Sequence, residues 1–256
     1  MNSELLLAYT IDSIYIFEVA SFKLLKTLKN KYTKLSEVYF TKDPFIVIFS
    51  GLTEPFDLFL WSVYENKIID VQKSNNNLPI IGLNLSNYWN MALSWTSNYC
   101  LRLHDLSGKQ TNPILSIDYS ERAESLYAVL DHCSSNFYIA LNFKSLENKK
   151  ILKIERHKFD GLYKGKKSDL QINNESNIQL MKISSDGARI ALLLESGILI
   201  YINSISLERI WIADIKGHSI GKNSLEICSW SDKIFIGLEN GSIILIDSIK
   251  KKKKNT

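Results

Sequence analysis

Apolar residues fall in short runs along this chain, and nearly every run is cut by a turn signal. IQLMKI is followed by Ser184-Ser185-Asp186-Gly187, ARIALLL by Glu195-Ser196-Gly197, and ILIYIN by LERIWIADI. Asp bonds its own backbone two residues on and Gly accepts positive φ, so these breaks read as tight turns. The same order returns in LEICSW, Ser231-Asp232, KIFIGL, Glu239-Asn240-Gly241 and SIILID, where Asn-Gly is a strong hairpin signal. The runs are short and rich in β-branched and aromatic residues, which predicts strands. A helix would need apolar residues at i, i+3, i+4 and i+7, and no such stretch stands out. Roughly 22 strands are predicted in all.

The hairpin ends repeat. An apolar or aromatic residue followed by a polar one closes each unit at Phe17-Glu18, Trp61-Ser62, His104-Asp105, Ile154-Glu155, Ile202-Asn203 and Ile246-Asp247. Their spacings are 44, 43, 50, 48 and 44 residues. Four-stranded propeller blades recur every ~40 to 50 residues. One such unit cannot bury both faces of its own sheet, whereas stacked units cover one another. The expected fold is all-β, a WD-repeat-type β-propeller of six partial four-stranded blades, with an incomplete seven-bladed ring as one form of it. An irregular β-sandwich is the rival, although a sandwich does not normally keep a steady period in its hairpin ends. The expected organisation is one propeller domain over 1–249 and a disordered lysine-rich tail over 250–256. The first unit lacks an inner strand and the sixth supplies only three. Either strands from both termini share a blade, or the ring stays open with unpaired edges.

The segments also resemble those of a known family, the PROPPINs, phosphoinositide-binding propellers of autophagy and endosomal membrane traffic. IYIFEVASFKLLKTL is similar to that family's first outer hairpin, and FIVIFSG with FDLFLWSVYENKII to its second blade. SLYAVLDHCSSNFYIAL, ISSDGARIALLLESGILIYI and GSIILID resemble its later strands. The family's Phe-Arg-Arg-Gly motif, each Arg serving one lipid-headgroup pocket, aligns with Asp214, Ile215, Lys216 and Gly217. Only Lys216 and Gly217 match in kind. Lys offers a point charge where Arg offers a bidentate fork, and Ile215 removes one pocket's main ligand. The resemblance thus implies a residual anion or headgroup site at Lys216, Gly217 and His218. Lys222 joins it from the same loop, because loop residues between adjacent blades converge at the rim, and Arg209 is a weaker candidate on the preceding strand.

Charge adds one feature. The net charge is +4, but five of the 31 basic residues are Lys250, Lys251, Lys252, Lys253 and Lys254. Without them, 26 basic residues face 27 acidic ones, so the body is near neutral. A nucleic-acid footprint would be a basic face on the body itself, and none is legible. The lysine run suits an anionic membrane surface, at about 1 kcal/mol per Lys. A partnerless tail, a nuclear-import signal, and an RNA-retaining arm of an RNA-processing complex are the other readings of it. Lys164 to Lys167 form a second basic stretch, read as a solvated loop.

The remaining chemistry is sparse. Cys100, Cys133 and Cys228 are odd in number and scattered, and read as buried small hydrophobes of a reducing compartment. His132-Cys133 has no second ligand pair at metal spacing. His104 stands at the repeat's Trp position and is expected to be packed. His157 ends a strand with no evident partner. The five tryptophans are expected mostly in the core. No GxSxG, P-loop, HExxH or carboxylate pair is present, so a non-enzymatic protein without cofactor or metal is expected. The N-terminus lacks a secretory pattern, and no run of about 18 apolar residues exists to span a membrane. The expected location is cytoplasmic, peripheral on endosomal, vacuolar or autophagic membranes. Two functions follow: a phosphoinositide-binding platform that recruits proteins, or a degenerate WD-repeat scaffold that binds proteins alone.

Overall fold

A computed structural model describes residues 4–31, 34–73, 78–86, 88, 90–109, 111–121, 123–144, 150–159, 167–173, 176–215, 217–218, 220–228 and 233–247. These contain twenty-two strands and no helix. The chain forms two compact units, Met1–Glu121 and Arg122–Thr256.

The first unit holds three antiparallel sheets. Strands β1 (Leu5–Tyr9), β2 (Ser13–Glu18) and β3 (Leu24–Lys29) make the first, paired in chain order. The second is β4 (Leu35–Phe40), β5 (Ile46–Gly51), β6 (Leu58–Ser62) and β7 (Lys67–Gln72). The third is β8 (Ile80–Ser86), β9 (Met91–Thr96), β10 (Cys100–Asp105) and β11 (Leu115–Asp118). β4 lies against both β1 and β8. The first sheet lacks the strand that opens the others, as the repeat predicts.

The second unit repeats the plan. Its sheets are β12 (Ser125–Leu130), β13 (Asn136–Lys144), β14 (Lys150–Lys158) and β15 (Lys167–Asn173); then β16 (Ile178–Ile183), β17 (Arg189–Leu194), β18 (Ile198–Asn203) and β19 (Arg209–Asp214); then β20 (Ile220–Cys228), β21 (Lys233–Leu238) and β22 (Ile243–Asp247). β16 lies against β12 and β20. β20 begins well before the predicted start at Leu225.

The strand sequences follow from what covers each face. Side chains alternate between faces with period two. In β17, Ile190, Leu192 and Leu194 enter the core shared with the fourth sheet. Ala191 and Leu193 enter the core shared with the sixth. A strand covered on both faces has no polar side to show, so RIALLL reads as a continuous apolar run. β5 does the same: Val47 and Phe49 face the first sheet, and Ile48 faces the third. Trp61, Trp95 and Trp211 are buried. Trp89 and Trp230 lie outside the described residues.

Turns lock sheets to one another. In Ser184–Gly187, Asp186 Oδ1 accepts from the Ala188 amide at 3.0 Å. Gly187 has φ of 70°, and its carbonyl accepts from Ser204 Oγ. Asp131, just after β12, sits against Gly187, where an added Cβ would collide with its carboxylate.

The cysteines correct one expectation. Cys100 is buried, but Cys228 is half-buried and Cys133 is exposed. Cys133 lies in the turn after β12, and its Sγ donates to Ser185 O at 3.3 Å. Burial, then the Asp131 and Asp186 carboxylates, raise its thiol pKa, so it stays protonated.

His104 is packed, as its repeat position implies. It is fully buried, shares a 2.9 Å hydrogen bond with Ser94 through Nε2, and leaves Nδ1 without a hydrogen-bond partner among the described residues. Burial, aided by the Arg102 charge and opposed by Asp57, lowers its pKa from 6.5 to about 4. Between those values the unfolded chain binds a proton that the folded chain refuses, so stability falls as pH drops. The loss approaches about 3 kcal/mol by pH 4. Urea unfolding measured from pH 7 to pH 4 is expected to show this decline, and His104→Gln to flatten it.

Candidate functional site

Of the residues singled out from the sequence, Gly217 and His218 lie in the connection between β19 and β20. Ile215 follows β19 and belongs to the core with Leu225, Ile227 and Ile236. Its amide donates to Gly197 O at 2.8 Å. It is only 8% exposed, so the position aligned with a headgroup arginine is a core position here. Gly217 and His218 are exposed, and Gly217 has φ of 89°. Lys216 lies outside the described residues, as do Lys250 to Lys254 and Lys164 to Lys166.

Lys222 lies on β20 within a wide irregularity. Ile220 pairs with Leu238 and Leu225 with Ile236, so five residue steps on β20 face two on β21. The opening strands β4, β8 and β16 carry smaller bulges near their starts. Bulges re-aim strand residues and interrupt pairing. Lys222 therefore stands at the same end of the sheet as Gly217 and His218. Arg209 does not join them. It opens β19, exposed, five residues from Asp214, a span of roughly 16 Å at strand rise.

Two other groups resolve as packing. Glu155 accepts from His157 Nε2 at 2.8 Å and pairs with Lys153 at 3.4 Å. His157 also stacks on Phe137 at 5.1 Å, so it does have partners. Residues 153, 155 and 157 share one face of a strand, and the period-two rule applied to KILKIERH would have grouped them. His132 is half-buried, and burial lowers its pKa despite the nearby Asp131. No cluster of three or more His, Cys, Asp or Glu among the described residues is placed to hold a metal ion. No helix there is long and apolar enough to cross a membrane.

One feature was not legible in the sequence. A cleft of about 200 Å³ opens between the first and second sheets, lined by Leu5, Ile16, Leu25, Lys26, Phe45, Val63 and Tyr64. Phe45 and Tyr64 meet edge to face, their ring centroids 5.6 Å apart. Tyr64 is 79% exposed and Phe45 41%. Both lie in turns: Phe45 precedes β5, held by its amide to Asp43 Oδ1 at 2.9 Å, and Tyr64 follows β6. The sequence pattern reads Phe45 as the first residue of a strand, which hides its exposure.

The fold is shared with solved β-propellers. Kluyveromyces lactis Hsv2, a PROPPIN, is similar with a TM-score of 0.65 over 96% of this chain and 72% of its own, at 11% identity. The β-propeller domain of Myceliophteria thermophila Cps50 (Swd1) gives 0.60 over 84% of this chain and 65% of its own, at 14% identity. The chain thus spans just under two thirds of the latter. No family model and no curated protein matches the sequence. The fold is all-β and of the β-propeller type, with six sheets of three or four antiparallel strands among the described residues.

The two glycines provide a test of the local geometry. Gly217 has open space where a Cβ would go, so Gly217→Ala bears only the left-handed backbone cost of about 1 to 2 kcal/mol. Gly187→Ala adds the contact with Asp131 and is expected to lose at least about 1 kcal/mol more. Chemical denaturation of both variants against the parent chain measures the difference.

Proposed function

We propose that this chain is a non-enzymatic, WD-type interaction platform that recruits protein partners. The observation that carries the reading is the exposed Phe45–Tyr64 pair over the apolar cleft between the first two sheets. Aromatic side chains supply large contact area at low entropic cost, and they anchor protein interfaces. Lys26 at the rim adds a cation for an acidic partner side chain. The core position of Ile215 supports the same reading, because it leaves the aligned headgroup site without one arginine.

A second reading keeps a membrane in the function. The PROPPIN-like fold, the exposed Gly217–His218 connection and the lysine run together support attachment to phosphoinositide-bearing membranes. This attachment would rest on one Lys-centred anion site and on screened tail electrostatics, so it would be weak and salt-sensitive. Autophagy or endosomal traffic is the setting that reading implies, with the protein peripheral on those membranes. The single domain over 1–249 is part of the proposal, as one body presenting both surfaces.

Two measurements separate the readings. Quantitative affinity capture is expected to return a stable partner set with the parent chain and with Lys216→Ala. That set should be lost with the Phe45→Ser, Tyr64→Ser double variant. Capture unchanged by the double variant removes the cleft from the function. Flotation with phosphatidylinositol 3-phosphate liposomes at low salt is expected to exceed that with neutral liposomes, and to fall when Lys250 to Lys254 are replaced by Gln. Flotation equal to neutral liposomes removes the lipid role.

A further inference from the structure

The cleft between the first two sheets has a size and a charge that define what fits it. At about 200 Å³ it is smaller than the ~300 to 1,000 Å³ of pockets that enclose small-molecule ligands. It suits one large apolar side chain. Leu5, Ile16 and Val63 line it together with the Phe45 and Tyr64 rings. Lys26 brings the charge to this lining, and it stands opposite Ile16 across the β2–β3 pair.

β3 differs from the last strands of the other sheets. β7, β11 and β19 each carry an aspartate, Asp70, Asp118 and Asp214. Between Glu18 and Glu37 the sequence has five lysines and no acidic residue. Lys23 and Lys26 are exposed, and neither ammonium group makes a hydrogen bond or ion pair with a described residue. The carboxylates beside the cleft already have partners. Glu65 pairs with Lys67 at 2.7 Å, Asp43 Oδ1 accepts from the Phe45 amide, and Glu18 accepts from Ser21 Oγ.

Building on the protein-recruiting reading of this cleft, we propose that it takes an acidic peptide segment of another protein. One large apolar side chain of the segment seats against Phe45 and Tyr64, and an Asp or Glu beside it reaches Lys26 and Lys23. The apolar anchor supplies the affinity, because buried aromatic contacts dominate interface energetics. An exposed ion pair adds little by itself. The lysines instead fix the segment's orientation and select against basic competitors.

The test selects a phage-displayed library of random dodecapeptides on the full chain. Enriched peptides are then made with a fluorescein label and measured by anisotropy. They are expected to place Phe, Leu, Ile or Trp next to Asp or Glu. Lys23→Glu with Lys26→Glu should weaken their binding about tenfold and leave thermal unfolding unchanged, since both lysines are exposed. Peptides whose acids are exchanged for Lys should bind that variant and not the parent chain. Should the variant fail to fold, peptides with Gln in place of the acids test the same contact on the unaltered protein, and they should bind more weakly. Enriched peptides that lack acids but still need Phe45 and Tyr64 overturn the proposal and leave the cleft reading standing. Peptides indifferent to Phe45→Ser with Tyr64→Ser overturn both. A selection that enriches nothing, or displacement of the peptides by phosphatidylserine vesicles, overturns the proposal as well.

Discussion

The structure depends on one constraint: a small antiparallel sheet rich in Ile, Leu and Val has two apolar faces, and each must be covered by a neighbouring sheet. Apolar burial is worth about 25 cal/mol per Å², and strand pairing within one sheet supplies none of the burial between faces. Within each unit the middle sheet meets the requirement on both sides, with Val47 and Phe49 on one face and Ile48 on the other, or Leu192 and Ala191. The turns serve the same end. Ser204 ties the β18 end to the Gly187 turn within the fifth sheet, and Cys133 Sγ bonds Ser185 O across from the fourth.

Function follows from what this packing leaves over. Strands with both faces covered have no side chains to offer a partner. Chemistry is pushed to turns and to sheet ends. That is where Phe45 and Tyr64 stand, and where Gly217 and His218 stand. Titratable groups inside the sheets are spent on packing: His104 is held neutral by burial, and Glu155 is shared between Lys153 and His157. The platform reading rests on surfaces.

Much of the fold was legible because hairpin ends recur at a nearly constant interval, and β16, IQLMKI, falls where its pattern puts it. The first sheet's missing strand was legible for the same reason. The site was legible in part. The sequence reads Ile215 as the loss of one headgroup arginine, and the structure adds that the residue is a core position. Other features depend on direction in space, which spacing does not encode. Arg209 and Gly217 are eight residues apart, yet a strand carries them to opposite ends of a sheet. Phe45 and Tyr64 are nineteen residues apart, yet a hairpin brings two turns together. The exposure of Cys133 is a property of the turn it occupies, and the irregularity at Lys222 appears only when both strands of the pair are seen.

The account holds that neighbouring sheets, not the repeat sequence itself, decide what each strand position is worth. Leu199 and Ile243 are equivalent in the repeat, one fully buried and the other exposed. Paired denaturant unfolding of Leu199→Ala and Ile243→Ala tests this most directly. The predicted result is a loss of about 3 kcal/mol for Leu199→Ala and under about 0.5 kcal/mol for Ile243→Ala. Equal losses at the two positions would contradict it, because Ile243 would then be as well covered in the folded chain as Leu199.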